Sequence, residues 1–125
     1  MTFVQALKSV LMENYFNFDG RARRSEYWYF CLLNFLVNFA YNMITRLIDS
    51  KLVAVVLAVI VIIYSLGTLI PGLAVAVRRL HDINKSGWWM LIGLIPLIGW
   101  VILLIWYCRD SELGSNEYGE NPKGL

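Results

Sequence analysis

Long apolar runs alternate with short polar segments along this chain. The three apolar runs cover about residues 27–44, 52–77 and 88–107. Each approaches or exceeds the roughly 20 residues that an α-helix needs to cross a bilayer. Amphipathic helices of soluble proteins interrupt such runs with polar residues every turn, so this pattern is typical of membrane helices. It predicts an all-α integral membrane protein with three transmembrane helices.

The second and third runs each contain a proline. The second run would form a helix about 39 Å long against a hydrocarbon core of about 30 Å, so a kink at Pro71 is expected to accommodate the excess. The third run has Gly93, Pro96 and Gly99 near its middle, which leaves either a kinked span or a re-entrant hairpin. The kinked span is preferred, because an exposed hairpin would leave backbone groups without hydrogen bonds in lipid.

Amphipathic and polar segments flank the three runs within what is predicted to be one membrane domain, residues 1–125. In residues 1–26, apolar side chains recur at helical spacing: Phe3, Leu7, Val10 and Leu11. This spacing predicts a short helix in the membrane interface, followed by an arginine-rich segment. Residues 108–125 form a polar tail, where turns or irregular structure are expected. Its sequence "GSNEYGENP" suggests that it folds back over the helix ends.

A polar row interrupts the first apolar run. Asn34, Asn38 and Asn42 are spaced four residues apart, which keeps them on one helix face. An amide that faced lipid would lose hydrogen bonds at a cost of several kcal/mol, so the row is predicted to face other helices. There it would bond to Ser65 and Thr68 of the second run. A polar pathway through the membrane is the alternative interpretation.

Composition supports a membrane protein and argues against a nucleic-acid partner. Of the 125 residues, 58% are hydrophobic and 16% are charged, and the mean hydropathy is +0.57. Average globular chains are about a quarter charged. The net charge of +2 is too small to indicate nucleic-acid binding.

The distribution of lysine and arginine predicts the orientation. With three spans, the N-terminal segment and the 78–87 loop share a side with seven basic residues: Lys8, Arg21, Arg23, Arg24, Arg78, Arg79 and Lys85. The opposite side carries four. Basic residues accumulate in cytoplasmic loops, so the N-terminus is predicted to be cytoplasmic and the tail to lie outside. A hairpin in the third run would instead bring the tail to "GRARR" and "RRLHD" as one composite site, which would favour ligand binding or catalysis.

The segment "RRLHDINKSGWW" between the second and third runs contains the strongest candidate site. With the first arginine-rich segment it supplies eight candidate ligand-binding residues: Arg21, Arg23, Arg24, Arg78, Arg79, His81, Asp82 and Lys85. As a basic collar, the six arginines and lysines among them would orient the helices and attract anionic lipid at about 1 kcal/mol per basic residue. As a defined site, the arginine forks would bind phosphate beside a titrating histidine. Asp82 could simply pair with Arg78 or Arg79.

No catalytic residue is assigned. His81 and Asp82 are adjacent, and neighbours on a helix point about 100° apart, so they do not form an orienting pair. No nucleophile motif or phosphate loop is present in the sequence. Cys31 and Cys108 lie far apart with no nearby cysteine or histidine, which indicates no metal site. No cofactor is expected.

Four motifs resemble one bacterial family. They are "FDGRARRSEYW", "RRLHDINKSGWW", "LIPLIGW" and "GSNEYGENP", in this order along the chain. They are similar to those of the membrane proteins grouped as domain of unknown function 805, and the match extends from about Asn14 to Pro122. The resemblance implies a small multi-pass protein of the inner membrane. In that membrane, the outside location predicted for the tail from the basic residues is the periplasm. It implies no established activity and supplies no catalytic residues.

Three classes of function remain open. An accessory or scaffold protein would bind anionic lipid headgroups or a partner through the basic cytoplasmic face. A transporter or channel subunit would use the row Asn34, Asn38 and Asn42, and three spans would require a homo-oligomer. An enzyme is the third. The expected partners are membrane lipids and a second copy or another membrane protein.

Overall fold

The structure, a computed structural model, describes residues 2–124. Helix α1 covers Phe3–Lys8 and continues as a π-helical turn, Ser9–Glu13. The long helices are α2, Arg24–Leu47, and α3, Lys51–Asp82. A 3₁₀ helix, Gly87–Leu94, precedes α4, Ile98–Cys108. Apart from one isolated bridge in the tail, the regular structure of residues 2–124 is helical, which confirms the all-α class.

The N-terminal helix packs onto the long helices through the predicted apolar face. Thr2 caps α1, since its hydroxyl accepts a hydrogen bond from the Gln5 amide while the Gln5 side chain accepts one from the Thr2 amide. Val10 is fully buried and packs with Phe30 of α2 and Val75 of α3. The predicted helix is therefore present, and it packs against α2 and α3.

Helix α3 is longer than the sequence indicated. It has 32 residues, which corresponds to about 48 Å, and it continues through Pro71 to Asp82. The "RRLHD" segment, predicted to be a loop, therefore forms the last turns of α3. Among residues 2–124, α3 is the one helix that is long and apolar enough to cross a membrane by length and composition, with a mean hydropathy of 2.8 over its most apolar 18-residue window. The three predicted spans are thus not confirmed.

The prediction of one kinked third span is wrong, because residues 88–107 form a hairpin. The 3₁₀ helix has eight residues and α4 has eleven, so each arm is about 16 Å long, roughly half of a hydrocarbon core. The turn lies at residues 95–97, where Leu97 adopts a left-handed φ of 64°. The rings of Trp89 and Trp106, near the two ends of the segment, have centroids 5.7 Å apart, so both ends of this hairpin lie on the same side.

Close contacts at the tip supply hydrogen bonds that an exposed hairpin was expected to lack. The Gly99 amide donates to the Ile95 carbonyl at 3.1 Å, and the Trp100 indole N–H donates to the Gly93 carbonyl at 2.9 Å. A Cβ atom at Gly99 would lie 1.8 Å from the Ile92 carbonyl oxygen. Glycine therefore permits the two arms to meet, and the turn pairs much of its own backbone.

The tail returns to the arginine-rich segment. The Trp28 indole N–H donates to the Tyr107 carbonyl at 3.0 Å, and Arg24 approaches Asp110 at 3.7 Å. The expectation that the tail folds back over the helix ends is confirmed. The expectation that it lies opposite the "RRLHD" segment is wrong, since the hairpin reverses the chain.

The asparagine row meets α3 at one position. The Asn34 Oδ1 atom accepts a hydrogen bond from the Tyr64 hydroxyl at 2.9 Å. Each of the three amides donates to the carbonyl four residues earlier in α2, at 3.1 Å for Asn34 and 2.8 Å for Asn38 and Asn42. Asn38 and Asn42 are exposed on the outer surface of α2. Within one copy of the chain, the predicted contact with another helix is therefore observed for Asn34 and not for these two.

The predicted partners of the row do not bond to it. The Thr68 hydroxyl donates to the Tyr64 carbonyl within α3 at 2.9 Å, and Ser65 is exposed. Short hydroxyl side chains readily bond to their own helix backbone, whereas the longer tyrosine reaches the neighbouring helix.

Candidate functional site

A buried carboxylate marks the end of α3. The Asp82 side chain is 0% exposed. Its Oδ1 accepts from Arg21 Nε at 3.0 Å, and its Oδ2 accepts from Arg79 Nη1 at 3.0 Å and from the Ser111 hydroxyl. Burying an isolated carboxylate costs several kcal/mol, so three donors from three chain segments explain how it is accommodated.

Arg21 ties the tail to this carboxylate. Its Nη1 donates to the Gly114 carbonyl at 2.8 Å, and its Nη2 donates to the carbonyls of Glu112 at 2.6 Å and Asp82 at 3.1 Å. The Glu112 amide donates to the same Asp82 carbonyl at 2.9 Å. The planar arginine fork therefore joins the N-terminal segment, the end of α3 and the tail.

A second buried ion pair joins α2 to α3. Arg78 Nη1 lies 2.7 Å from Glu26 Oε1, which also accepts from the Ser9 hydroxyl at 2.8 Å. Asn14 in turn donates to the Ser9 hydroxyl oxygen at 2.9 Å. We call the five ionised residues of the two networks the charge cluster: Arg21, Glu26, Arg78, Arg79 and Asp82.

The charge cluster holds more positive than negative charge. Three arginines face two carboxylates, and the donors Arg78 Nε, Arg78 Nη2 and Arg79 Nη2 are buried without a partner among residues 2–124. The C-terminal end of a helix favours positive charge, which offsets part of the excess. Arg79 Nε also donates to the Tyr107 carbonyl at 3.2 Å. These arginines thus hold the end of α3 to α2, α4 and the tail.

His81 is fixed by the N-terminal segment and the tail. Its Nδ1 lies 2.9 Å from the Gly20 carbonyl, which only accepts hydrogen bonds, so the neutral ring carries its proton on Nδ1. The ring stacks on Tyr118, with centroids 3.9 Å apart and planes 3° from parallel. Asn116 donates to the His81 carbonyl at 3.0 Å. The remaining nitrogen, Nε2, is then a hydrogen-bond acceptor.

The predicted basic collar is divided into buried and accessible members. Arg21, Arg78 and Arg79 are buried in the charge cluster and do not reach a lipid surface, which corrects the prediction of a collar with six members. Arg24 is exposed, and Lys85 lies 4.7 Å from the centre of the Trp106 ring.

The structure brings together "GRARR", "RRLHD" and the tail. This is the composite arrangement that the sequence left open as an alternative. The predicted pairing of Asp82 with Arg79 is present, and the second partner is Arg21 rather than Arg78. Sequence reasoning missed Glu26 and Ser111 as members of the site. A charged residue at the start of an apolar run, as Glu26 is, was the one available signal.

Arg23 lies outside the charge cluster, beside a polar cavity. This cavity has a volume of about 380 Å³ and is lined by Gln5, Lys8, Ser9, Glu13 and Arg23. Arg23 Nε is buried and has no hydrogen-bond partner among the residues that the structure describes. Two basic side chains and one carboxylate leave the cavity positive, so it can accept an anionic group.

A family model described as "Protein of unknown function (DUF805)" matches residues 15–120, which include the whole charge cluster. The chain belongs to this family. It is 42% identical over 113 residues to inner membrane protein YhaI of Escherichia coli strain K12, with 90% of this chain and 92% of that protein covered. It is 37% identical over 113 residues to inner membrane protein YhaH of the same strain, with 90% and 93% covered. No solved structure matches this chain.

Membership confirms the resemblance seen in the four motifs. Together with the length and hydropathy of α3, it establishes this DUF805 chain as a membrane protein, and the names of both relatives support an inner-membrane location. The family description assigns no activity, so function must be argued from the site itself.

Proposed function

We propose that this chain is an accessory protein of the inner membrane that binds anionic lipid headgroups beside its N-terminal segment. The observation that supports this most is Arg23 Nε, a buried donor with no partner, in a cavity shared with Lys8. Within this proposal the charge cluster is the scaffold that holds the face together.

The chemistry of the cavity matches a phosphate group. Arginine and lysine donate to phosphate oxygens, arginine often through two nitrogens at once. Arg23 is also the residue that precedes α2, a 24-residue helix whose amino end favours anions. Glu13 at the cavity wall would repel a second phosphate, so one headgroup is the expected occupant.

We further propose that this face is cytoplasmic and carries both the N-terminal segment and the tail. With the hairpin in place, nine of the eleven lysines and arginines lie at this end, and Arg46 and Lys51 lie at the other. Such an excess is characteristic of the cytoplasmic side. Helices α2 and α3 would then cross the bilayer and the hairpin would enter it from the cytoplasm. A C-terminal alkaline phosphatase fusion should be inactive and a fluorescent-protein fusion bright; the reverse would overturn this topology.

Lipid binding is tested by native mass spectrometry of the detergent-solubilised protein with added phosphatidylglycerol or phosphatidylcholine. The double variant Lys8→Ala/Arg23→Ala should lose most of its bound phosphatidylglycerol. The matched control, Arg46→Ala/Lys51→Ala, removes the same charge from the opposite end and should keep it. Equal loss in both variants, or no loss in either, would contradict the proposal.

A transporter or channel subunit is the second candidate. Asn38 and Asn42 line a groove of about 380 Å³ on the outer surface of α2, together with Arg46. A polar pathway at this place would need a second copy of the chain to enclose it. Native mass spectra showing only monomers in mild detergent and in nanodiscs would set this candidate aside.

A further inference from the structure

A second cavity, mostly apolar, lies between the end of α3 and the first arm of the hairpin. It has a volume of about 520 Å³, and its lining includes Phe18, Val77, His81, Ser86, Trp88 and Leu91. Volumes of 300–1,000 Å³ and an apolar wall with few polar groups are typical of small-molecule sites. Trp88 is 78% exposed and Leu91 is 56% exposed, so this rim presents apolar surface on the outside of the chain.

His81 supplies an unpaired acceptor at this cavity. The residue is 8% exposed, and its Nδ1 is committed to the Gly20 carbonyl. Within the described part of the chain, Nε2 has no hydrogen-bond partner. The ring cannot rotate to find one, because Tyr118 stacks on its face. Nε2 is not one of the fully enclosed side-chain atoms, so it remains open to a ligand, and a hydroxyl could donate a hydrogen bond to it.

Ser86 contributes a hydroxyl to the lining. Its Oγ accepts a hydrogen bond from the Trp88 amide at 3.3 Å, which leaves its own hydrogen free to donate. Gly87 holds this arm against α3, since a Cβ atom there would lie 2.7 Å from Val77 Cγ1. The cavity thus combines one acceptor, one donor and an apolar channel beside them.

We infer that this cavity binds a neutral, hydroxyl-bearing amphiphile from the membrane interface. The hydroxyl donates to His81 Nε2, Ser86 provides a second polar contact, and the hydrocarbon chain lies along Val77 and Leu91. A phosphate group would not suit this place, because an unprotonated Nε2 has no proton to donate. The site is therefore distinct in residues and in ligand chemistry from the Arg23 cavity, and neither proposal depends on the other.

The test uses bromine-labelled monooleoylglycerol, which carries free hydroxyls, and the matching methyl ester, which carries none. The protein is held in lauryldimethylamine oxide, whose head group also has no hydroxyl. Native mass spectrometry reports binding. The part of the bromine quenching of tryptophan fluorescence that is lost in a Trp88→Phe variant reports proximity to Trp88. The glycerol ester should bind about tenfold more tightly than the methyl ester, the ratio that corresponds to one additional hydrogen bond.

Two variants decide the outcome. His81→Phe keeps a ring for stacking on Tyr118 but removes the acceptor, so it should abolish the preference for the glycerol ester. Leu91→Trp fills the cavity from an exposed position, so it should weaken binding of both esters while leaving the charge cluster intact. Arg23→Ala should change neither result. Equal binding of the two esters by the wild-type protein, or unchanged binding by the well-expressed Leu91→Trp variant, would overturn the inference.

Discussion

One end of the long helices and their middle part differ in the contacts that hold the helices together. At the end formed by the last turns of α3, the N-terminal segment and the tail, ion pairs link residues 61 positions apart, as in Arg21 and Asp82. In the middle of α2 and α3, apolar side chains such as Phe35 and Ile63 face outward, and the Asn34–Tyr64 hydrogen bond is a rare polar contact between them. The contrast indicates that specific tertiary structure is concentrated at one end, while lipid covers the rest.

The largest effect is expected from removing the central carboxylate. Asp82→Asn leaves Arg21 and Arg79 buried beside a neutral amide, and breaking a buried pair in this way costs about 3–5 kcal/mol. Thermal unfolding in detergent should show a strongly lowered midpoint and early loss of the tail to protease. The exposed Asp110→Asn is the matched control and should unfold near the wild-type temperature. Equal midpoints for the two variants would contradict the structural role of the charge cluster.

The hairpin tip should be the next most sensitive place. Gly99→Ala puts a Cβ atom 1.8 Å from the Ile92 carbonyl oxygen, so the arms must separate at a cost of about 1–3 kcal/mol. Gly67→Ala is the control, because a Cβ atom there meets nothing within 4 Å. Unfolding midpoints of the two variants give the comparison. If residues 88–107 formed one straight span, both substitutions would be tolerated alike.

In the middle of α2, the effect of replacing an asparagine on stability should depend on its position. Asn34→Leu removes the hydrogen bond to Tyr64 and should cost about 0.6 kcal/mol, the average for such bonds between membrane helices. Asn38→Leu removes an exposed amide and should leave the stability of a monomer unchanged. Measuring both unfolding midpoints in detergent checks the order, and native mass spectra of Asn38→Leu report any lost assembly. A larger loss of monomer stability in Asn38→Leu would reverse the comparison.

The smallest effect is expected at the exposed edge of the tail. The Lys123 ammonium and the Ser111 amide bond to the Asp110 carboxylate, which lowers the pKa of this carboxyl from its ordinary value of 3.8. Because the folded-state pKa is lowered, the stabilisation is present above 3.8 and is lost as the pH falls through the folded-state value. Lys123→Ala should reduce this acid dependence slightly, as measured by protease cleavage of the tail against pH. An unchanged pH profile in this variant would contradict the contribution of Lys123.

The regular helices were predictable because their signals are local. The apolar spacing in residues 2–14 predicted the N-terminal helix, whose Val10 is buried, and the second apolar run predicted α3. Arg79 and Asp82 are three residues apart on a helix, so their pairing could be suggested from spacing alone. The resemblance of the four motifs added the family.

The hairpin and the charge cluster could not be predicted in the same way. A run containing Gly93, Pro96 and Gly99 is compatible with a kinked span and with a hairpin, and the contact of Gly99 with Ile92 that distinguishes them has no periodic signature. Arg21 and Asp82 meet only because the chain has already folded around α3. Because the third run was predicted to cross the membrane, the tail was predicted on the opposite side from Asp82. The hydrogen bond from the Ser111 hydroxyl to Asp82 was therefore not expected.

The order of synthesis determines when Arg21 can form its hydrogen bonds to the tail. The carbonyls of Glu112 and Gly114 that receive its guanidinium leave the ribosome well after α3 has been made. Before the tail is synthesised, Asp82 can pair with Arg21 and Arg79, but the tail does not yet cover these residues. A copy in which the tail has not closed would therefore expose Arg21 and Asp82, which are buried in the folded structure.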